Sequence, residues 1–202
     1  MAEITAEMVK KLREASGAGI LDCRKALEAA NGDFDQAFAS LREKGLAAAA
    51  KRMDRVAKDG AIHAYVHAGG RVGAMVEVNC ETDFVARTED FQNFVHDVAM
   101  QIAAMGPLYL SRQDIPESEI ERLKREFRAQ AINEGKKEAV LDRIVEGKLE
   151  KFFQQYCLLE QPFIRDDSQT VEQLLKALIA KTGENIIIRR FARFQLGEHL
   201  EG

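Results

Sequence analysis

A chain of 202 residues, 46% hydrophobic and 31% charged, has enough apolar mass to bury a core and reads as a soluble globular protein rather than a disordered one. Length alone admits one domain with an appendage or two small domains. A formal net charge of -4 supplies no global basic field, which weighs against a dedicated nucleic-acid binder and leaves room only for a local basic patch.

The chain opens with three short helical patterns. Thr5 is placed to cap the first, in which Met8, Val9 and Leu12 form an apolar stripe, and Gly17-Ala18-Gly19 breaks it. A second helix is predicted from about Leu21 to Ala30, stopping at Asn31-Gly32. Asp33 can cap a third that presents Phe34, Ala37, Phe38 and Leu41 before Gly45. The alanine-rich stretch after it, followed by Lys51, Arg52, Arg55 and Lys58, predicts a solvated helical connector over 46–59. Its positive charge reads either as steering toward an acidic surface or as a plain water-facing helix.

Beyond Gly60 the period changes to alternation. Ala61 to His67 and Arg71 to Asn79 predict two strands joined by a turn at Gly69-Gly70. Thr88 opens a helix with Phe91, Phe94, Val95, Val98, Ile102 and Ala103 on its apolar side, so Thr82 to Val85 fall on the connecting loop. Pro116 precedes a helix with Ile120, Leu123 and Phe127 as its stripe, and helical patterns continue to about Tyr156. In C-L-L-E-Q-P-F, Gln161-Pro162 predicts a turn, with Leu158, Leu159 and Phe163 in the core. Thr170 with Gln173 fits a capping box for a helix burying Val171, Leu174, Leu175, Leu178 and Ile179. Ile186 to Phe194 reads as a last strand that joins the hairpin. The class is α+β: three helices over 1–45, the connector, then a small antiparallel sheet packed with helices over 60–202. Met75, Gly73, Tyr65 and Phe191 leave the second face of that sheet partly apolar, which predicts a sheet-on-sheet dimer.

Enzyme signatures are missing: no phosphate loop, no G-x-G-x-x-G after a strand, no H-E-x-x-H and no G-x-S-x-G. Cys23, Cys80 and Cys157 lie far apart without a partner at metal-ligand spacing and read as buried reduced thiols. His63 and His67 share a strand face and read as packing or solvent-facing residues. No metal, cofactor or catalytic group is expected. The start of the chain carries no leader pattern and no run approaches membrane-spanning length, so a cytoplasmic protein away from membranes is expected.

The most informative stretch is V-N-C-E-T-D-F-V-A-R, Val78 to Arg87. A Phe beside a carboxylate at a strand-to-helix junction has the make-up of a plug for a pocket on another protein, or of a staple packed under the hairpin. T-D-F-V after this strand resembles the signature of the bacterial elongation factor Ts family. G-A-G-I-L-D-C-R-K-A-L, G-D-F-D-Q-A, C-L-L-E-Q-P-F and R-R-F-A-R-F-Q-L-G-E resemble further family segments in family order.

The resemblance implies a guanine nucleotide exchange factor for elongation factor Tu, of the short form, with an N-terminal unit like a ubiquitin-associated domain. It implies that Phe84 enters a pocket between helices of the partner's nucleotide-binding domain. Asp83 would engage the helix that carries the phosphate and Mg²⁺ contacts, with Thr82 and Val85 aiming them. Arg13, Ile20 and Leu21 are implied secondary contacts. Two copies with two partner molecules is the implied assembly, and Ala192 stands where some short relatives place a cysteine, so the expected dimer is noncovalent. Two other readings are a helical adaptor that dimerises without exchange activity, and an RNA-binding accessory using the 51–58 patch.

Overall fold

The computed structural model describes residues 4–52 and 54–198. The class is α+β as expected, N-terminal helices followed by a small antiparallel sheet with helices. By internal packing the described residues form two compact units: one from within 4–62, 77–95 and 173–189, the other from 63–76, 96–172 and 190–198. No helix among the described residues is long and apolar enough to cross a membrane.

In the first unit, α1 (Ala6–Ser16) starts at Thr5, whose hydroxyl accepts the Met8 amide at 3.2 Å. Helix α2 (Ile20–Ala29) and helix α3 (Phe34–Ala50) follow, the latter capped by the Asp33 carboxylate on the Gln36 amide at 2.8 Å. Val9, Leu12, Cys23, Ala26, Leu27, Ala37 and Leu41 close one core among the three. The break expected at Gly45 is absent, because α3 runs through it to Ala50. A Cβ on Gly45 would sit 3.1 Å from the Ala180 Cβ, so this glycine serves a close helix approach rather than a stop. The rest of the expected helical connector is turns and extended chain, with Ala57 buried; Met53 lies outside the described residues.

Strands β1 (Asp59–Val66) and β2 (Val72–Cys80) form the predicted hairpin, with Gly69 and Gly70 at φ 92° and 66° in its turn. Ala74, Val76, Val78 and Cys80 are buried while Met75 is exposed, the alternation of a sheet with one covered face. A one-turn helix α4 (Asp83–Ala86) and the long α5 (Glu89–Met105) come next. Helices α6 (Glu117–Asn133) and α7 (Glu138–Tyr156) form a hairpin with its own core of Leu123, Val145, Leu149 and Phe153.

The turn expected at Gln161-Pro162 is displaced. Strands β3 (Pro162–Phe163) and β4 (Asp166–Thr170) pair antiparallel around Ile164 and Arg165. Gln161 is instead buried, donating to the Gln155 carbonyl at 2.8 Å and accepting from Gln101 at 3.1 Å. Gln101 in turn accepts the Ile164 amide at 2.8 Å, so both buried amides are satisfied. Helix α8 (Val171–Thr182) and strand β5 (Ile187–Gln195) complete the chain, and the three-stranded sheet has the order β1-β2-β5.

Candidate functional site

Strand β2 ends at the buried Cys80, whose thiol donates to the Thr82 carbonyl at 3.1 Å. Burial, chiefly, with the charges of Glu184 and Asp59, pushes that thiol up to about 11, so it is a structural group rather than a nucleophile. Thr82 then takes an extended conformation (φ -132°, ψ 153°) and its hydroxyl accepts the Val85 amide at 3.4 Å. The predicted loop is therefore a capped helical turn. Four residues are too few to show a helical period, which is why the sequence pattern reads as a connection.

The turn divides its side chains sharply. Val85 and Ala86 are each 6% exposed and form its base, whereas Phe84 is 78% exposed. Leaving a Phe side chain in water forgoes roughly 2–3 kcal/mol relative to burying it. The staple reading, Phe84 packed under the hairpin, is thus overturned. The Asp83 carboxylate stands beside it, exposed, and takes a hydrogen bond from Arg87 at 2.6 Å one turn on. The Thr88 hydroxyl donates to the Val85 carbonyl at 2.7 Å, and Gln92 to the Ala86 carbonyl at 2.6 Å, tying the turn to α5.

Glu184, from the segment between α8 and β5, also reaches this turn. Its carboxylate accepts the amides of Glu81 at 3.1 Å and Thr82 at 3.0 Å on one oxygen, and the Thr82 hydroxyl at 2.6 Å on the other. Sequence reasoning missed Glu184, for its partner lies 102 residues away and no local pattern announces it. It also missed Arg87, although an acid and a base four apart at a helix start are a readable signal.

The secondary candidates lie in the same compact unit. Ile20 and Leu21, 56% and 72% exposed, open α2 beyond Gly19, which provides no side-chain cap. They are surface residues, not the core positions that the sequence equally allowed. Ile20 and Arg13 line one groove of about 420 Å³ with Ile4, Ala6, Val9, Lys10 and Arg24; Leu21 does not line it. A Cβ on Gly17, in the α1–α2 turn, would lie 3.0 Å from Lys181 Cγ, and Lys181 donates to Asp90 at the start of α5 at 2.7 Å. Lys181 thus bridges the N-terminal helices and the helix that follows the Phe84 turn.

His63 and His96 face each other with ring nitrogens 3.1 Å apart, and Tyr65 packs edge-on against His96 and bonds His67 at 3.0 Å. All of these residues are in the other compact unit. Among the described residues no group of three or more His, Cys, Asp or Glu could hold a metal ion.

A ring and a carboxylate thus stand exposed together on a capped turn over a buried base, at a strand-to-helix junction of an α+β fold. Comparison gives the family. A family model described as Elongation factor TS matches residues 4–198, and the chain belongs to the elongation factor Ts family. The Elongation factor Ts of Caldanaerobacter subterraneus subsp. tengcongensis is 59% identical over 98% of this chain and 99% of its own length. Those of Thermoanaerobacter pseudethanolicus and Carboxydothermus hydrogenoformans are each 58% identical over 98% of this chain, covering 97% and 91% of their lengths. The chain therefore takes its place among the elongation factors of protein biosynthesis.

Proposed function

We propose that this protein releases GDP from elongation factor Tu so that GTP can bind, acting by contact and breaking no covalent bond. The observation that carries the reading is Phe84, exposed on a turn whose other apolar residues are buried. GTP-binding proteins hold phosphate through backbone amides, a lysine and Mg²⁺, so a small displacement of those groups weakens the nucleotide greatly. Phe84 enters a pocket between helices of the partner's nucleotide-binding domain. Asp83 engages the helix bearing the phosphate and Mg²⁺ contacts, exchanging Arg87 for groups on the partner. By linkage, a factor that weakens GDP by some ratio is itself weakened by GDP in the same ratio, so either ligand expels the other.

The helices up to residue 45 act as a second contact through Arg13, Ile20 and Leu21, and residues 60–202 act as the core in a cytoplasmic, nucleic-acid-independent factor. Val66, Met75, Phe194 and Leu196 are exposed apolar residues at the sheet, and a second copy of the chain covers them, giving two factors with two partners. Phe194→Asp then shifts the solution mass from dimer to monomer; a wild-type mass of 22.6 kDa at every concentration refutes the pairing.

The deciding experiment is stopped-flow release of a fluorescent GDP analogue from elongation factor Tu. Strong acceleration by the wild type supports the exchange reading. No acceleration sinks it and favours a dimeric adaptor without exchange activity.

A further inference from the structure

A helix of four residues cannot hold its own direction, because it fixes its backbone for almost no internal hydrogen bonds. Thr82 caps only the Val85 amide. Whatever aims Phe84 must therefore come from elsewhere in the chain. We propose that Glu184 is the positioning residue of the Phe84 turn, its carboxylate holding the Thr82 cap so that the ring and Asp83 are presented in one fixed pose. The proposal rests on the reading of Phe84 as the exchange wedge.

Three donors converge on that carboxylate: the Glu81 amide, the Thr82 amide and the Thr82 hydroxyl. Bonds to an ionised acceptor are the stronger kind, and a negative charge at a helix start complements the helix dipole. Thr82 is thereby used twice, donating its hydroxyl to Glu184 and accepting from Val85.

The clasp is also reciprocal. Glu81 returns its own carboxylate to the Asn185 amide at 2.7 Å and to Arg55 at 3.5 Å, while the Asn185 side chain donates to the Arg55 carbonyl at 2.6 Å. Residues 81–82 and 184–185 thus grip each other in both directions. Glu184 is itself anchored: its amide donates to the Thr182 hydroxyl at 3.4 Å, which donates to the Leu178 carbonyl on α8 at 2.9 Å.

The test measures GDP release against factor concentration for Glu184→Ala and Glu184→Gln, each alone and combined with Phe84→Ala. A wedge correctly posed for only a fraction of the time lowers apparent affinity by that fraction, so Glu184→Ala raises the half-saturating concentration about tenfold. Its maximal rate stays within about twofold of wild type, since the bound complex selects the right pose. Gln can accept from both amides and donate to the Thr82 hydroxyl, and returns the value to within about threefold of wild type. In the Phe84→Ala background only Asp83 remains to be posed, so Glu184→Ala raises the half-saturating concentration by about threefold or less, as coupled residues require.

An unchanged half-saturating concentration overturns the proposal, and so does an equal effect with and without Phe84. Should Glu184→Ala fail to fold, Glu184→Asp carries the same test, for one methylene less prevents the carboxylate from reaching all three donors. Amide exchange separates this idea from the exchange reading itself. Even if the wild type releases no GDP, Glu184→Ala should speed exchange of the Ala86, Arg87 and Thr88 amides about tenfold or more and leave α7 unchanged. Equal protection in both proteins defeats the positioning role.

Discussion

The Phe84 turn and the start of α2 both show large apolar side chains to water at the N-terminus of a helix, yet they are built differently. Beneath Phe84, Thr82 caps the turn, Glu184 grips the cap, and Thr88 and Gln92 hold the carbonyl side. Ahead of Ile20 and Leu21 stands Gly19, with no side-chain cap at all. One apolar surface is braced by side-chain caps and the other has none at its helix start. A braced group is posed before it docks and so loses less affinity to ordering than an unbraced one. Under the proposed function, displacement falls to Phe84 and adhesion to Ile20 and Leu21.

Substitution at the two places should break that symmetry in kinetics. Phe84→Ala has the largest expected effect, a loss of about 100-fold in the maximal rate of GDP release, on the scale of an interface hot spot. Its fold should be intact, since the ring supports nothing beneath it; a circular dichroism melt matching wild type checks this. Ile20→Ala combined with Leu21→Ala should leave the maximal rate alone and raise the half-saturating concentration, by roughly tenfold for the lost apolar area. If the double variant instead lowered the maximal rate, α2 would share in the displacement and the comparison would fail.

The same contrast explains what could be read from the sequence. Helices with repeated apolar stripes are legible in the sequence, as is the hairpin with its two turn glycines, and the T-D-F-V stretch stands out there as the candidate site. What escaped depends on distance along the chain. Gly45 looked like a helix stop because the Ala180 side chain that needs its small size is on another helix. Gln161 looked like a turn residue because Gln101, which satisfies its buried amide, is 60 residues away. Glu184 was invisible for the same reason. Local pattern reports the exposed tip of a site well and the long-range clasp beneath it hardly at all.

Caps offer a smaller, sharper probe. Thr82→Ala removes the hydroxyl that serves both Val85 and Glu184, and should cost about 1 kcal/mol of stability, with apparent affinity for the partner falling in step. Gly19→Asn adds a cap where none exists and should change stability by only a few tenths of a kcal/mol. Denaturant melts of both proteins measure the two effects. A larger response at Gly19 than at Thr82 would mean that the α2 start is the more constrained of the two.

The smallest effect concerns acid, and it falls in the compact unit that holds neither of the two apolar starts. His63 sits below the usual histidine range, first because burial penalises its charged form and second because His96 repels a proton on it. The unfolded chain therefore takes up this proton more readily than the folded one. Stability from neutral His63 is complete above about pH 6.5, the unfolded value, and is lost as pH falls through the lower folded value. Thermal midpoints of wild type and His63→Gln, measured from neutral pH downward, should diverge in slope, with the variant the flatter. A parallel pair of curves would show that the His63–His96 contact does not control the acid response. If the slopes do diverge while the Phe84→Ala defect in GDP release stays constant over the same pH range, acid acts on the histidine pair and leaves the braced turn untouched.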